Sequence, residues 1–242
     1  MLKRLVLVHG AWHGAWCWER LTPLLQARGF EVSTLDLPGL GSDLTRSQDV
    51  TLQNCVERVV SVIAVGHEPV LLVGHSMGGV PISAAAELVP ERISRLVYIA
   101  ALLPANGETL TDVSGIGAAE SVATTLQPNT ADGDYAVDPA IAPQMFYNTC
   151  SADVAAHAAR QLRPQSLRPL GTQVSLTEAR WGRIPKTYIL CAKDNALPYA
   201  QQQALCARRP EVRKLTMDTD HSPFYSDPEG LSQLLAAEAS FS

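Results

Sequence analysis

Three observations place this chain of 242 residues in the α/β class, with a doubly wound and mostly parallel sheet. Short β-branched or leucine-rich runs alternate with helical patterns. Most of those runs are continuously apolar, and a Gly-x-Ser-x-Gly segment joins one of them directly to a helix. Continuously apolar strands are what a parallel sheet covered by helices on both faces requires. Strand–helix alternation with right-handed crossovers builds such a sheet.

Six runs, each flanked by turn chemistry, are predicted as its strands: Arg4–Val8, Glu31–Leu35, Pro69–Val73, Arg95–Ile99, Lys186–Cys191 and Val212–Met217. Between the second and third, Leu52, Val56, Val59, Val60 and Ile63 share one helical face, and Thr51 stands where an N-cap belongs. Val80 to Leu88 is a helix of small residues suited to close packing on a sheet, and Leu231, Leu234 and Leu235 mark an amphipathic C-terminal helix. The alternation stops from Ala105 to Trp181, a stretch rich in Ala, Pro and Thr with no convincing strand. A structureless loop of that length does not suit a compact domain. Its short helical candidates, Pro139–Tyr147 and Ser151–Leu162, predict a helical lid inserted between the fourth and fifth strands. The expected organisation is a core of residues 1–104 and 182–242, with residues 105–181 as the lid.

Composition narrows the function. The makeup is 46% hydrophobic, 18% charged and 6% aromatic, which argues against disorder and coiled coil. A chain of this mass buries about 70% of its unfolded surface, so it needs neither disulfide nor metal to fold. The net charge of −5 argues against a protein held to nucleic acid by phosphate contacts. The five cysteines are an odd number, widely scattered and without a Cys-x-x-Cys pair, as expected of reduced thiols in a cytoplasmic protein with no zinc site. Leu5–Val8 is too short for a signal-peptide core, and no apolar stretch is long enough to span a membrane. No dinucleotide fingerprint or P-loop is present, so no cofactor is expected.

The strongest local signal is Gly74-His75-Ser76-Met77-Gly78-Gly79, between the strand ending at Val73 and the small-residue helix. In that context Gly-x-Ser-x-Gly is a nucleophile elbow. Serine sits at a strained backbone angle on the sharp turn, and the glycines remove side chains that would clash there. Its hydroxyl then projects above the carboxyl edge of the sheet, and the Met77 amide points from the helix start toward developing negative charge. A serine needs a base, and the base an orienting acid. Among six histidines, His221 lies just past the last strand and so returns to that edge. Asp194 follows the preceding strand and completes the chain order Ser, Asp, His; Asp218 and Asp220 stay open as alternatives. Asp36 reads as a turn residue before Pro38-Gly39. The second oxyanion donor is assigned to the Ala11 amide, in the glycine-broken turn after the first strand.

These residues carry a resemblance. The elbow, the His9-Gly10 turn and the order Ser76, Asp194, His221 resemble the α/β-hydrolase superfamily. The run from Leu7 through His9-Gly10-Ala11-Trp12-His13-Gly14-Ala15-Trp16 to Trp18, followed by Leu24-Leu25 and Asp36-Leu37, resembles its methylesterase/hydroxynitrile-lyase branch. The match is dense over Leu5–Pro104 and Gly182–Pro228 and weak across the lid. The resemblance implies the α/β-hydrolase fold and either ester hydrolysis or cyanohydrin cleavage, and leaves a homodimer open. Cyanohydrin-cleaving members carry Thr or Asn where Gly10 stands, and a subgroup has Cys after the serine and Lys after the histidine. Here those last two positions are Met77 and Ser222. A cation beside the base stabilises departing cyanide, and Ser222 supplies none. The sequence therefore points to a serine esterase for small to medium uncharged hydrophobic esters, with no metal. Lyase chemistry and a slow or non-catalytic ligand receptor on the same fold are its alternatives. Gly10, Trp12, Leu126, Met145, Phe146 and Ser222 are the expected substrate-contacting positions.

Overall fold

Strand order in the computed structural model is dictated by which runs are apolar on both faces. The structure describes residues 3–117, 126–129 and 133–240, the backbone alone for 126–129. β1 (Arg4–Val8) and β3 (Val70–His75) are buried along their whole length, as is β8 (Lys186–Cys191), and β4 (Ile93–Ile99) is buried from Leu96 onward. These four are the interior strands. β2 (Glu31–Leu35) and β9 (Arg213–Met217) mix polar, partly exposed positions with apolar ones and form the edges. The order is β2-β1-β3-β4-β8-β9, and all five pairings are parallel.

The connecting helices follow their sequence signals. α1 (Leu21–Ala27) precedes β2, and α2 (Leu52–Ile63) follows it. Thr51 caps α2 with a reciprocal pair: its hydroxyl accepts from the Asn54 amide at 3.1 Å, and Asn54 Oδ1 accepts from the Thr51 amide at 2.9 Å. Leu52, Cys55, Val56, Val59 and Ile63 form its buried face. α3 (Gly79–Leu88) is the small-residue helix after β3, buried over most of its length.

The insert between β4 and β8 departs from the helical expectation. It does hold α4 (Leu110–Gly115), α5 (Ala142–Phe146) and α6 (Ala152–Ala159), the last two inside the windows predicted for them. It also holds a three-stranded antiparallel sheet: β5 (Leu126–Asn129), β6 (Asp134–Val137) and β7 (Gln165–Ser166). These strands are short, and a core loop anchors them through polar groups. Ser47 Oγ donates to Asp134 at 2.8 Å, and Ser166 Oγ donates to the Ser47 carbonyl at 2.7 Å. Of these strands whose side chains are described, only β6 carries an apolar run, Tyr135-Ala136-Val137, too short for a sequence reading to mark as a strand.

α7 (Tyr199–Ala207), α8 (Pro223–Ser226) and α9 (Pro228–Ser240) complete the chain. Thr187 and Arg95 hold the buried Glu238 of α9 against the sheet. Among the described residues, no helix is long and apolar enough to cross a membrane.

Candidate active site

The end of β3 turns so sharply that Ser76 takes φ = +52°. A serine pays for that left-handed conformation, and such strain persists where the surroundings over-determine it. Here the first turn presses on the elbow. A Cβ added at Gly78 would lie 2.6 Å from the His9 carbonyl oxygen, and one at Gly10 would lie 2.7 Å from the Ser76 Cβ. Gly78 is needed because two backbones meet there, and Gly10 because the Ser76 and His75 side chains crowd it. Ser76 keeps some exposure while its neighbours are buried, and among the described residues its Oγ makes no hydrogen bond. Loose nucleophile contacts of this kind tighten when substrate binds.

The first turn is held by two histidines. His9 Nε2 accepts from the Leu37 amide at 3.0 Å, so its proton is on Nδ1 and donates to the Gly10 carbonyl at 2.8 Å. That carbonyl shares a planar trans peptide with the Ala11 N–H, so fixing one aims the other in the opposite direction. His13 Nδ1 donates to the Ala11 carbonyl at 2.7 Å, and its Nε2 accepts from the Tyr147 hydroxyl at 2.8 Å. Burial lowers the pKa of both rings, His13 to about 3, and keeps them neutral. Among the described residues, neither the Ala11 nor the Met77 amide donates to a protein acceptor, although both residues are buried. Buried amides without acceptors are the raw material of an oxyanion hole.

On the far side of the sheet edge, His221 Nδ1 lies 2.7 Å from Asp194 Oδ2. The Asp194 carboxylate is saturated. Its Oδ1 accepts from the Ala196 and Leu197 amides, both at 2.8 Å, and its Oδ2 accepts also from Gln202 Nε2 at 3.1 Å. His75, one residue before the nucleophile, approaches the His221 carbonyl through Nε2 at 2.8 Å, which joins the elbow to the base loop.

The alternatives for the acid are accounted for elsewhere. Asp218 is 79% exposed and pairs with Lys193. Asp220 is buried, but accepts from the Ser222 amide, Ser226 Oγ and Thr149 rather than from His221. Asp36 caps its own turn, accepting from the Ala15 and Ser42 amides and from Ser42 Oγ, and these bonds hold its carboxyl below the usual range against the opposing effect of burial.

The alpha/beta hydrolase family model matches residues 5–234. The chain belongs to that family. Within it, this hydrolase falls in the methylesterase-like branch of carboxylic ester hydrolases. It is 32% identical to Methylesterase 2 of Arabidopsis thaliana over 98% of this chain and 96% of that one. It is 30% identical to the putative chloroplastic methylesterase 11 of the same plant, over 96% of its own length and 63% of the relative's. Among solved structures, polyneuridine aldehyde esterase superposes with a TM-score of 0.89 at 26% identity, covering 99% of this chain and 100% of that one. A pyrethroid hydrolase from Sphingobium faniae JZ-2 superposes at 0.88 with 26% identity, covering 99% and 98%.

The residues expected to touch substrate occupy several settings in the hydrolase. Trp12 takes φ = +62° and donates from its indole to the Tyr135 carbonyl of β6 at 3.1 Å, so it fastens the first turn to the insert. The Phe146 ring sits 5.7 Å from His221 and 5.6 Å from Trp12, centroid to centroid. Met145 is buried beside it. Ser222 is fully buried, and its Oγ has no partner among the described residues. Leu126 begins β5, and its side chain lies outside the described residues. Met77 and Pro81 wall a small apolar hollow with Leu37, Leu52 and Leu110. The sequence reading missed the His13–Tyr147 bond and the part of Gln202. A contact between residues 134 positions apart leaves no local pattern, although His13 was visible as a histidine in the first turn.

Proposed function

We propose that this hydrolase is a serine esterase for small to medium, uncharged, hydrophobic carboxylic esters, working through an acyl-enzyme. The observation that carries the reading is the buried Asp194–His221 pair at 2.7 Å, linked through the His221 carbonyl to His75, the residue before a serine held at φ = +52°. In this mechanism His221 Nε2 takes the Ser76 proton as Oγ attacks the ester carbonyl. Asp194 keeps the His221 proton on Nδ1 and stabilises the imidazolium that forms. The Ala11 and Met77 amides receive the oxyanion, their direction fixed before reaction by His9 and by the elbow. His221 then protonates the leaving alcohol, and afterwards activates a water that releases the acid. No step needs a metal or an organic cofactor.

The ester reading over the cyanohydrin reading is supported at Gly10 and Ser222. A side chain at position 10 meets Ser76 at 2.7 Å, and Ser222 offers no cation to departing cyanide. We take the insert of residues 105–181 as the cap that shapes the acyl and alcohol pockets. Five free cysteines suit a reducing, cytoplasmic setting. The test is a paired assay. Turnover of p-nitrophenyl butyrate, with organophosphonate labelling lost in Ser76→Ala, is the expected result. Turnover of mandelonitrile without the ester, or labelling that survives Ser76→Ala, refutes it. Tight ligand binding with no acylation in a single turnover assigns the receptor role instead.

A further inference from the structure

The oxyanion turn, the acid turn and the base loop are the tips of separate strands, β1, β8 and β9; the last two are bonded to each other through Asp194–His221 and through the Lys193 amide to the Thr219 carbonyl at 2.9 Å, but among the described residues the oxyanion turn makes no hydrogen bond to either. One short segment of the insert reaches all of them. Tyr147 donates its hydroxyl to His13 Nε2 at 2.8 Å, and His13 in turn donates to the Ala11 carbonyl. Asn148 Nδ2 donates to the Lys193 carbonyl at 3.1 Å, and Asn195 Nδ2 donates to the Gln144 carbonyl at 2.9 Å, so the two residues flanking Asp194 are both tied. The Thr149 amide and hydroxyl each donate to Asp220 Oδ2 at 2.9 Å, one residue before His221. The other oxygen of Asp220 accepts from the Ser222 amide at 3.0 Å, one residue after it. Phe146 fills the space between, 5.5 Å from the His13 ring and 5.7 Å from His221.

We propose that Gln144–Cys150 is a positioning strap for the esterase site, with Tyr147 and Thr149 its principal positioning residues; this rests on the serine-esterase reading above. Catalysis by held groups demands placement within a fraction of an ångström, and a misplacement of about 1 Å can cost about 100-fold. The oxyanion turn, separated from the acid turn and base loop by β3 and β4, lacks that precision relative to them on its own. The strap supplies it by bonding to each tip rather than to the reacting atoms. Its polarity is fixed. His13 Nδ1 is committed to a carbonyl, so Nε2 must accept, and the Tyr147 hydroxyl is the donor that meets it. Asp220 is fully buried, so the donors around it are obligatory.

The test compares wild type with Tyr147→Phe, Thr149→Val and Thr149→Ser. Each purified protein is titrated with a p-nitrophenyl organophosphonate, and the maximal phosphonylation rate is read separately from the half-saturating concentration. The strap predicts that Tyr147→Phe and Thr149→Val each lower the maximal rate about tenfold, with half-saturation within about twofold of wild type. Thr149→Ser, which keeps the hydroxyl, recovers most of the lost rate. A loss confined to half-saturation makes the segment a pocket wall and overturns the proposal, as does a Thr149→Ser variant as slow as Thr149→Val. If Thr149→Val fails to fold, Tyr147→Phe decides. Wild type that is not labelled at Ser76 refutes the esterase reading. Wild type and variants labelled equally fast refute the strap alone.

Discussion

Replacing Asp194 by Asn tests the acid assignment most sharply, because the structure fixes what the amide must do. The carboxylate accepts four hydrogen bonds, two on each oxygen. An Asn oxygen turned toward the Ala196 and Leu197 amides keeps two of them. Its NH2 then faces His221 Nδ1 and Gln202 Nε2. The opposite orientation sets the NH2 against two backbone donors and is worse. In the better orientation His221 must accept on Nδ1, which moves its proton to Nε2, the nitrogen that has to receive the Ser76 proton. The base is thereby blocked by tautomer with its position retained. The loss expected for such a block is about three to four orders of magnitude in kcat/KM, or about 4–5 kcal/mol of transition-state stabilisation. The NH2 facing Gln202 Nε2 leaves a buried donor unpaired, which costs a further 1–3 kcal/mol or so of folding stability. Asp218→Asn removes only an exposed ion pair with Lys193 and should change activity by less than about twofold. The assay is p-nitrophenyl butyrate hydrolysis at matched folded fraction, with each melting temperature measured. An Asp194→Asn enzyme within tenfold of wild type, or an Asp218→Asn enzyme more impaired than it, refutes the assignment.

Other outcomes follow from the same geometry. Gly10→Ala places a Cβ 2.7 Å from Ser76 Cβ and 3.0 Å from His75 Nδ1, so the elbow must shift; kcat should fall at least tenfold or so, with about 1–3 kcal/mol lost in urea unfolding, and an unchanged kcat contradicts the close approach. Stability should decline on mild acidification. His13 is neutral in the fold down to about pH 3 but takes up a proton near 6.5 when unfolded, so its contribution is complete above 6.5 and is lost as pH falls. By pH 5 that loss is about 2 kcal/mol, and His9 and His75, lowered by the same burial, act in the same direction. Urea midpoints at pH 7.5 and 5 measure it, and equal midpoints refute it. Burial raises the thiols, Cys55 and Cys150 to about 12 and Cys206 to about 11; the folded protein at pH 8 should therefore resist a thiol-disulfide reagent that titrates all five cysteines after unfolding.

The sheet was legible because its interior strands are continuous apolar runs, and their observed ends move by at most a few residues from those predicted. Ser76 and His221 could be named as candidates because glycine spacing and strand order carry positional meaning. Asp194 needed topology as well, since Asp218 and Asp220 are nearer to His221 in sequence. The small sheet of the insert was illegible for a physical reason. β6 offers only the short run Tyr135-Ala136-Val137, and Ser47, Asp134 and Ser166 tie the sheet to a core loop by bonds that leave no hydrophobic period. Trp12 was read as a substrate contact from its place beside the oxyanion turn. Its indole also serves a carbonyl of β6, a role no local pattern encodes. The same holds for His13 and Tyr147, whose pairing exists only once the chain has folded back on itself.

The bonds from residues 144–150 to the core also bear on how this enzyme can be recombined with its relatives. An exchange of the whole insert, made to import another enzyme's substrate preference, would replace Tyr147 and Thr149 while leaving His13 and Asp220 behind. Chimeras cut at the strand ends should bind the new ester and turn it over slowly. Cuts that leave 144–150 with the recipient core separate recognition from rate, and define the largest part of this insert that can be swapped without dismantling the machinery beneath it.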